Sequence, residues 1–142
     1  RVDLGEMVVE IATRDEIGEV ARDVIVSGDR AALRGMLVNL IDNGRNHGGR
    51  VSIALRAQPP EAVVEVSDDG PGVPEADRER VFDRFYRAPE RRGGPGAGLG
   101  LPIARATAER WGGSLRMLPS ATGARFEVRL PLADPPPADD PG

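Results

Sequence analysis

Asn39 and Asn43 stand four residues apart, so on a helix both amides point the same way. A neutral amide oxygen can ligate Mg²⁺ while phosphates and waters complete the octahedron, and it adds no protein charge against a polyphosphate. The same pair also suits a solvated helix face, since Asn is mostly exposed. Asp68 comes next, followed by Gly70 and Gly72. A carboxylate there can accept a hydrogen bond from the exocyclic amine of adenine, which guanine lacks at that edge, and the glycines let backbone approach a ring closely. Asp-Gly-Pro-Gly is turn chemistry with or without a ligand. Gly96, Gly98 and Gly100 then precede a helical stretch, whose free N–H groups and positive dipole end favour a phosphate. Their spacing is G-x-G-x-G rather than the dinucleotide G-x-G-x-x-G, and no trailing acid supports a Rossmann site. A flexible hinge would use the same glycines without a ligand. Phe82 and Phe85, at i, i+3, suit the anchoring of a helix on the core. Arg84 and Arg87 are placed to reach phosphates or a partner helix, or to stand in solvent.

The elements that must position these groups follow from periodicity. Leu4 to about Val20 is acidic and loosely periodic (Leu4, Val8, Ile11), which predicts a helix fraying towards Gly18. Asp23–Ser27 is a short β-branched run and reads as a strand. Asp29 is a helix N-cap candidate, and Leu33, Met36, Leu37, Leu40 and Ile41 define the buried face of the helix that follows, with Gly48-Gly49 as its stop. Val51, Ile53 and Leu55 alternate with polar residues, Val63–Ser67 makes a second strand after Pro59-Pro60, Leu115 and Met117 mark a third, and Phe126, Val128 and Leu130 a fourth. Such alternation suits a largely antiparallel sheet, covered on one face and wet on the other. Glu75–Phe85 reads as a helix, and Leu99–Trp111 as another that tolerates Pro102 in its first turn. The rest of the 73–95 stretch is long and aperiodic, the pattern of a lid over a site. Residues 133–142, rich in Pro and Asp, read as a disordered tail after one domain at 1–132.

Composition narrows the chemistry further. The chain has 142 residues, 39% hydrophobic, enough for one core that Leu, Val and Ile must fill because aromatics are 4%. All 19 basic residues are Arg, which excludes a Walker A loop and the protein-kinase strand lysine. A net charge of −4 argues against a nucleic-acid binder. Cysteine is absent, so no thiol does chemistry. No apolar run approaches the ~20 residues of a membrane span, and the opening Arg1 suggests a piece of something longer.

In order, Leu37–His47, Asp68-Asp69-Gly70-Pro71-Gly72, Phe82-Asp83-Arg84-Phe85-Tyr86-Arg87 and Gly96-Ala97-Gly98-Leu99-Gly100-Leu101 resemble the N, G1, F and G2 boxes of the catalytic domain of bacterial sensor histidine kinases. The resemblance covers about Leu4–Leu132. It implies an α/β (α+β) two-layer sandwich of the Bergerat type, with a mixed, mostly antiparallel sheet of about five strands backed by about three helices. It implies a domain that binds ATP and Mg²⁺ while a histidine on a separate dimerisation domain attacks the γ-phosphate, with a response regulator served indirectly. Such a domain is the cytoplasmic part of a membrane-anchored kinase. On this resemblance Asn43 is the metal ligand, Asn39 lies near the phosphates, and Asp68 recognises adenine. Asn46, His47, Gly70, Gly72, Arg84, Gly96, Gly98, Leu99, Gly100 and Leu101 surround the nucleotide, and Arg87 joins Asn39 and Asn43 in catalysis.

Departures from the family pattern carry information too. ATP-hydrolysing members of the superfamily have Glu at position 39 to activate water, and an amide cannot accept that proton. This disfavours a self-contained ATPase, while Asn43, Asp68 and the glycine series disfavour a degenerate interaction module. Asn46 stands where many members have a phosphate-contacting Lys, leaving Arg45, Arg50 or Arg87 as stand-ins. His47 takes a place often held by Tyr or His. Ala124 replaces the Thr usual after Gly123. His47 is the one histidine and lacks a neighbouring acid, so no phosphoacceptor is expected in this chain.

Overall fold

The computed structural model describes residues 1–47, 50–83, 100–120 and 122–133, with only the backbone at His47. In chain order the elements are β1 (Val2–Asp3), α1 (Leu4–Ile11), β2 (Ile17–Val20), β3 (Ile25–Val26), α2 (Arg30–His47), β4 (Val51–Gln58), β5 (Glu61–Asp68), α3 (Gly100–Arg110), β6 (Ser114–Leu118) and β7 (Arg125–Pro131). Two short 3₁₀ turns, Glu75–Asp77 and Arg80–Phe82, lie between β5 and α3.

Asp29 starts α2 as a cap: its Oδ2 accepts from the Ala32 N–H at 2.9 Å and its carbonyl from the Leu33 N–H at 3.0 Å. Leu33, Met36, Leu37, Leu40 and Ile41 are all but fully buried, the stripe that the i, i+3, i+4 spacing demands. Helix α3 buries Ala104 and Ala108, whose small side chains permit a close approach. Helix α1, capped by Asp3 through the Glu6 N–H, inserts Leu4, Met7 and Val8. The helices back a five-stranded sheet of order β2-β4-β5-β7-β6, in which β2 runs parallel to β4 and every other pair is antiparallel. This is the two-layer, mixed and mostly antiparallel α/β sandwich expected from the sequence.

Three local expectations are corrected. The helix from Leu4 stops at Ile11, and Ile17–Val20 becomes an edge strand paired with β4 at Ile17↔Ile53. Past Ile11 too few apolar residues recur to hold a helix down, whereas the open edge of β4 offers backbone partners; a Cβ on Gly18 would stand 3.3 Å from the Ile53 carbonyl oxygen, and glycine avoids that contact. The run Asp23–Ser27 contracts to Ile25–Val26, which leaves the main sheet and pairs with β1. The strand count of five therefore holds with a different member. The described part of Glu75–Phe85 is two 3₁₀ turns, because only Val81 and Phe82 are buried there and no helical stripe exists. Gly48-Gly49, most of the expected 73–95 lid and residues 134–142 of the expected tail lie outside the described residues.

The face of the sheet away from the helices is closed by charge. Glu65 and Glu127 sit directly opposite each other on β5 and β7, and four arginines relieve the repulsion. Arg125 bonds Glu65, Arg56 bonds Glu65 at 3.1 Å, and Arg116 and Arg129 bond Glu127 at 2.9 and 2.8 Å. Burial pushes Glu127 up, but Arg129 and Arg116 outweigh it and hold its carboxyl below the ordinary range; Arg125 does the same for Glu65. Val63, in register between Arg56 and Arg129, is fully buried on this face.

Candidate functional site

Asp68 ends β5 and is 7% exposed. Its Oδ1 accepts from the Gly70 N–H at 2.9 Å and the Ala124 N–H at 3.3 Å, which fixes the rotamer. Oδ2 lies on the side of α2: a Cβ built on Gly44 would stand 3.4 Å from the Asp68 Cβ and 3.7 Å from Oδ2. Gly44 directly follows Asn43, so the acid and the amide belong to one locality. The loop after Asp68 is locked by two left-handed glycines. Gly72 has φ +76, and a Cβ on it would come 2.8 Å from the Gly123 carbonyl oxygen. Gly123 has φ +63, and a Cβ there would overlap the Asp68 carbonyl oxygen at 1.8 Å. No L side chain fits either place.

Farther back along α2, the Asn39 amide donates to the Gly100 carbonyl at 3.4 Å. The first residue of α3 thereby abuts the Asn39/Asn43 stripe. Gly44 lies five steps on from Asn39, about 7.5 Å of helix. One helix thus presents, in sequence, the start of α3, the half-buried Asn43 and the buried Asp68. Asn46 is exposed in the last turn, and His47 closes the helix. Gly70 and Gly72 form the locked loop, and Leu101 packs half-buried against the core. Arg84, Phe85, Arg87, Gly96, Gly98 and Leu99 lie outside the described residues. A hollow of about 350 Å³ beside the loop, lined by Gly72, Val73, Arg78, Met117 and Thr122 among others, contains none of Asn39, Asn43 and Asp68.

Arg45, one of the stand-ins for the missing lysine, is engaged elsewhere in this structure: its Nε and Nη2 grip Glu16 at 2.7 and 2.6 Å and its Nη1 reaches Asp42 at 3.3 Å. Glu16, 8% exposed, also accepts from the Thr13 N–H at 2.8 Å. The Arg45 guanidinium holds the Glu16 carboxyl down at about 2, against the upward push of burial. Arg45 therefore fastens the α1–β2 connection to α2. Arg50 donates its backbone N–H to Asp69 Oδ1 at 3.2 Å and is itself exposed.

Sequence reasoning missed Gly44 and Arg105. A glycine inside a helical pattern costs about 1 kcal/mol against Ala, and that cost was a signal of close packing. Arg105 gave no signal: its guanidinium carbon lies 4.6 Å from the centroid of the Phe82 ring, which meets Phe126 edge-on at 6.2 Å and 84°. Phe82 thus anchors its segment on the core, though through a 3₁₀ turn. Among the described residues no group of three or more His, Asp or Glu is placed to hold a metal.

The family model described as histidine kinase-, DNA gyrase B-, and HSP90-like ATPase matches residues 28–134. The signal transduction histidine-protein kinase/phosphatase MprB of Mycobacterium sp. (strain KMS) is 43% identical over 115 residues, which is 75% of this chain and 22% of that protein. The chain spans about a fifth of the length of the curated relatives it matches. A solved structure of the mycobacterial sensor histidine kinase MprB superposes with a TM-score of 0.75 at 31% identity, covering 94% of this chain and 97% of that one. The ATP binding domain of PrrB from Mycobacterium tuberculosis superposes with a TM-score of 0.74 at 28% identity, covering 94% and 96%.

Proposed function

The chain belongs to the histidine kinase-, DNA gyrase B- and HSP90-like ATPase family as the ATP-binding domain of a sensor histidine kinase, and from that premise we propose that it holds Mg-ATP and donates the γ-phosphate to a histidine on a separate dimerisation domain of the same kinase. The phosphate would pass on to a response regulator. The observation that carries this reading is the alignment along α2 of the α3 start, Asn43 and Asp68.

Each residue has a task that its chemistry permits. Asp68, with Oδ1 already bonded to the Gly70 and Ala124 N–H groups, offers Oδ2 to the exocyclic amine of adenine. Gly70 and Gly72 let backbone lie against the ring, and Asn46 and His47 flank it. Asn43 holds Mg²⁺ through its neutral amide oxygen. The donor set fits, since one amide leaves the other positions to phosphate and water. When bound, the metal neutralises phosphate charge. Asn39, tied to Gly100, steadies the first turn of α3; Gly100 and Leu101 there, with Gly96, Gly98 and Leu99 just before them in sequence, are assigned to present N–H groups to the phosphates. Arg84 and Arg87 supply the cations that Asn46 and Arg45 do not.

Asn39 cannot act as a base for water, so the site favours transfer over unaided hydrolysis. Catalysis then rests on positioning and charge neutralisation. The unit at 1–132, with a lid at about 73–95, is the cytoplasmic part of a membrane-anchored kinase on this reading; among the described residues no helix is long and apolar enough to cross a membrane. Calorimetric titration with ATP and GTP, with and without Mg²⁺, tests the proposal. ATP binds more tightly than GTP, and Asp68→Asn weakens ATP by about 1.5–3 kcal/mol, the range for a hydrogen bond to a charged group. Equal affinity for the two nucleotides refutes the assignment of Asp68.

A further inference from the structure

We infer that Arg105 is a positioning residue of the nucleotide site, acting through Phe82 on the loop that carries Gly70 and Gly72; this rests on the nucleotide reading above. The chain leaves β5 at Asp68 and is next buried at Val81 and Phe82. None of residues 69–80 is buried; Val73 packs half-buried against the core, and each end of the loop has an attachment. The first is Asp68 with its clamp to Ala124 and Gly123. The second is Phe82, held edge-on by Phe126 from β7 and covered on its face by the Arg105 guanidinium.

Arg105 is itself aimed. Its Nη1 donates to Glu79 Oε1 at 3.1 Å, and its Nε lies 3.8 Å from Glu109 Oε2 one turn on along α3. It therefore grips the 3₁₀ segment at two points, ring and carboxylate. It sits on the same helix whose first residue meets Asn39. A loop tethered at both ends has fewer conformations to lose when a ligand orders it, so the tether strengthens binding without touching the ligand. The tethered loop lies on the adenine side, so ADP and ATP gain equally. At 30% side-chain exposure Arg105 can be replaced without stranding a buried charge.

The test is titration of this chain and its Arg105→Met variant with ADP and ATP, together with Tm and amide exchange. Both nucleotides weaken by the same factor, about 3- to 10-fold, as expected for loss of a half-exposed cation–π contact and its ion pair. Amides of residues 70–83 exchange faster while those of α2 do not, and Arg105→Lys, which keeps the charge but loses the planar guanidinium that both stacks and pairs, recovers only part of the affinity. Should the Met variant fail to fold, Glu79→Ala at a position 77% exposed removes one grip and gives a smaller loss of the same sign. A lowered Tm with unchanged ADP affinity and unchanged exchange overturns the inference and leaves Arg105 merely structural. If the unmodified chain binds neither nucleotide, the nucleotide reading fails first and this inference falls with it.

Discussion

Replacing Glu16 by Gln removes the buried charge of a half-exposed ion pair while preserving its shape and its bond to the Thr13 N–H. The Glu16 carboxyl is lowered from 4.5 to about 2, first by the Arg45 side chain. That difference, at 1.36 kcal/mol per unit, corresponds to roughly 3 kcal/mol. Because the Arg45 side chain is 38% exposed and solvent screens it, about 1–3 kcal/mol is the expected share in stability. A carboxyl depressed on folding stabilises the native state above its unfolded pKa and loses that contribution as pH falls through its folded pKa. The stabilisation is therefore complete above about pH 4.5 and disappears towards about pH 2. Urea denaturation of both proteins near pH 7 and again at about pH 2.5 measures it as a difference, which cancels the acid response of Glu65 and Glu127. The variant is less stable by about 1–3 kcal/mol at neutral pH, and most of that gap closes in acid. A gap of zero at pH 7, or one of equal size at both pH values, refutes the ionic account. Arg45→Met adds a functional arm: it lowers stability similarly but leaves ATP affinity unchanged, since the guanidinium is spent on Glu16. A tenfold loss of ATP affinity in that variant would return Arg45 to the phosphates.

Asn43→Ala abolishes the Mg²⁺ dependence of ATP binding and leaves adenosine binding nearly intact, which paired titrations with and without metal will show. Gly35→Ala on the exposed side of α2 stabilises the protein by about 0.5–1 kcal/mol in urea melts, since a Cβ there meets nothing within 4 Å and the helix gains propensity. Gly123→Ala does the opposite, costing more than about 2 kcal/mol because its Cβ would overlap the Asp68 carbonyl oxygen and its φ is positive. Incubated alone with radiolabelled ATP, the chain binds nucleotide but acquires no stable label on His47; labelled protein would contradict this.

Much of the fold was legible because it is written in local periodicity. The stripe Leu33–Ile41 could only be one face of a helix, Asp29 could only help by capping it, and the alternation in β4 and β7 put each residue on its observed face. The order of the asparagine, Asp-Gly and glycine motifs was likewise enough to identify the family.

Pairing and proximity were decided elsewhere. Ile17–Val20 and Asp23–Ser27 are both short stretches with β-branched residues, and nothing inside either says which will find the edge of β4 and which will turn away to β1. A strand is completed by a partner distant in sequence, so its place depends on which edge is free. Glu75–Phe85 carries helix-compatible residues, yet the shape of its described part follows from Phe82, which Phe126 and Arg105 hold against the core. The fate of Arg45 turned on Glu16, 29 residues away and assigned by sequence to a helix rather than to the threshold of a strand. The residue types and spacings determined which chemistry the chain can perform; the packing of α2 against β5 and α3 alone decided which of those groups stand together, because contact across elements is set by burial and sterics that no local pattern encodes.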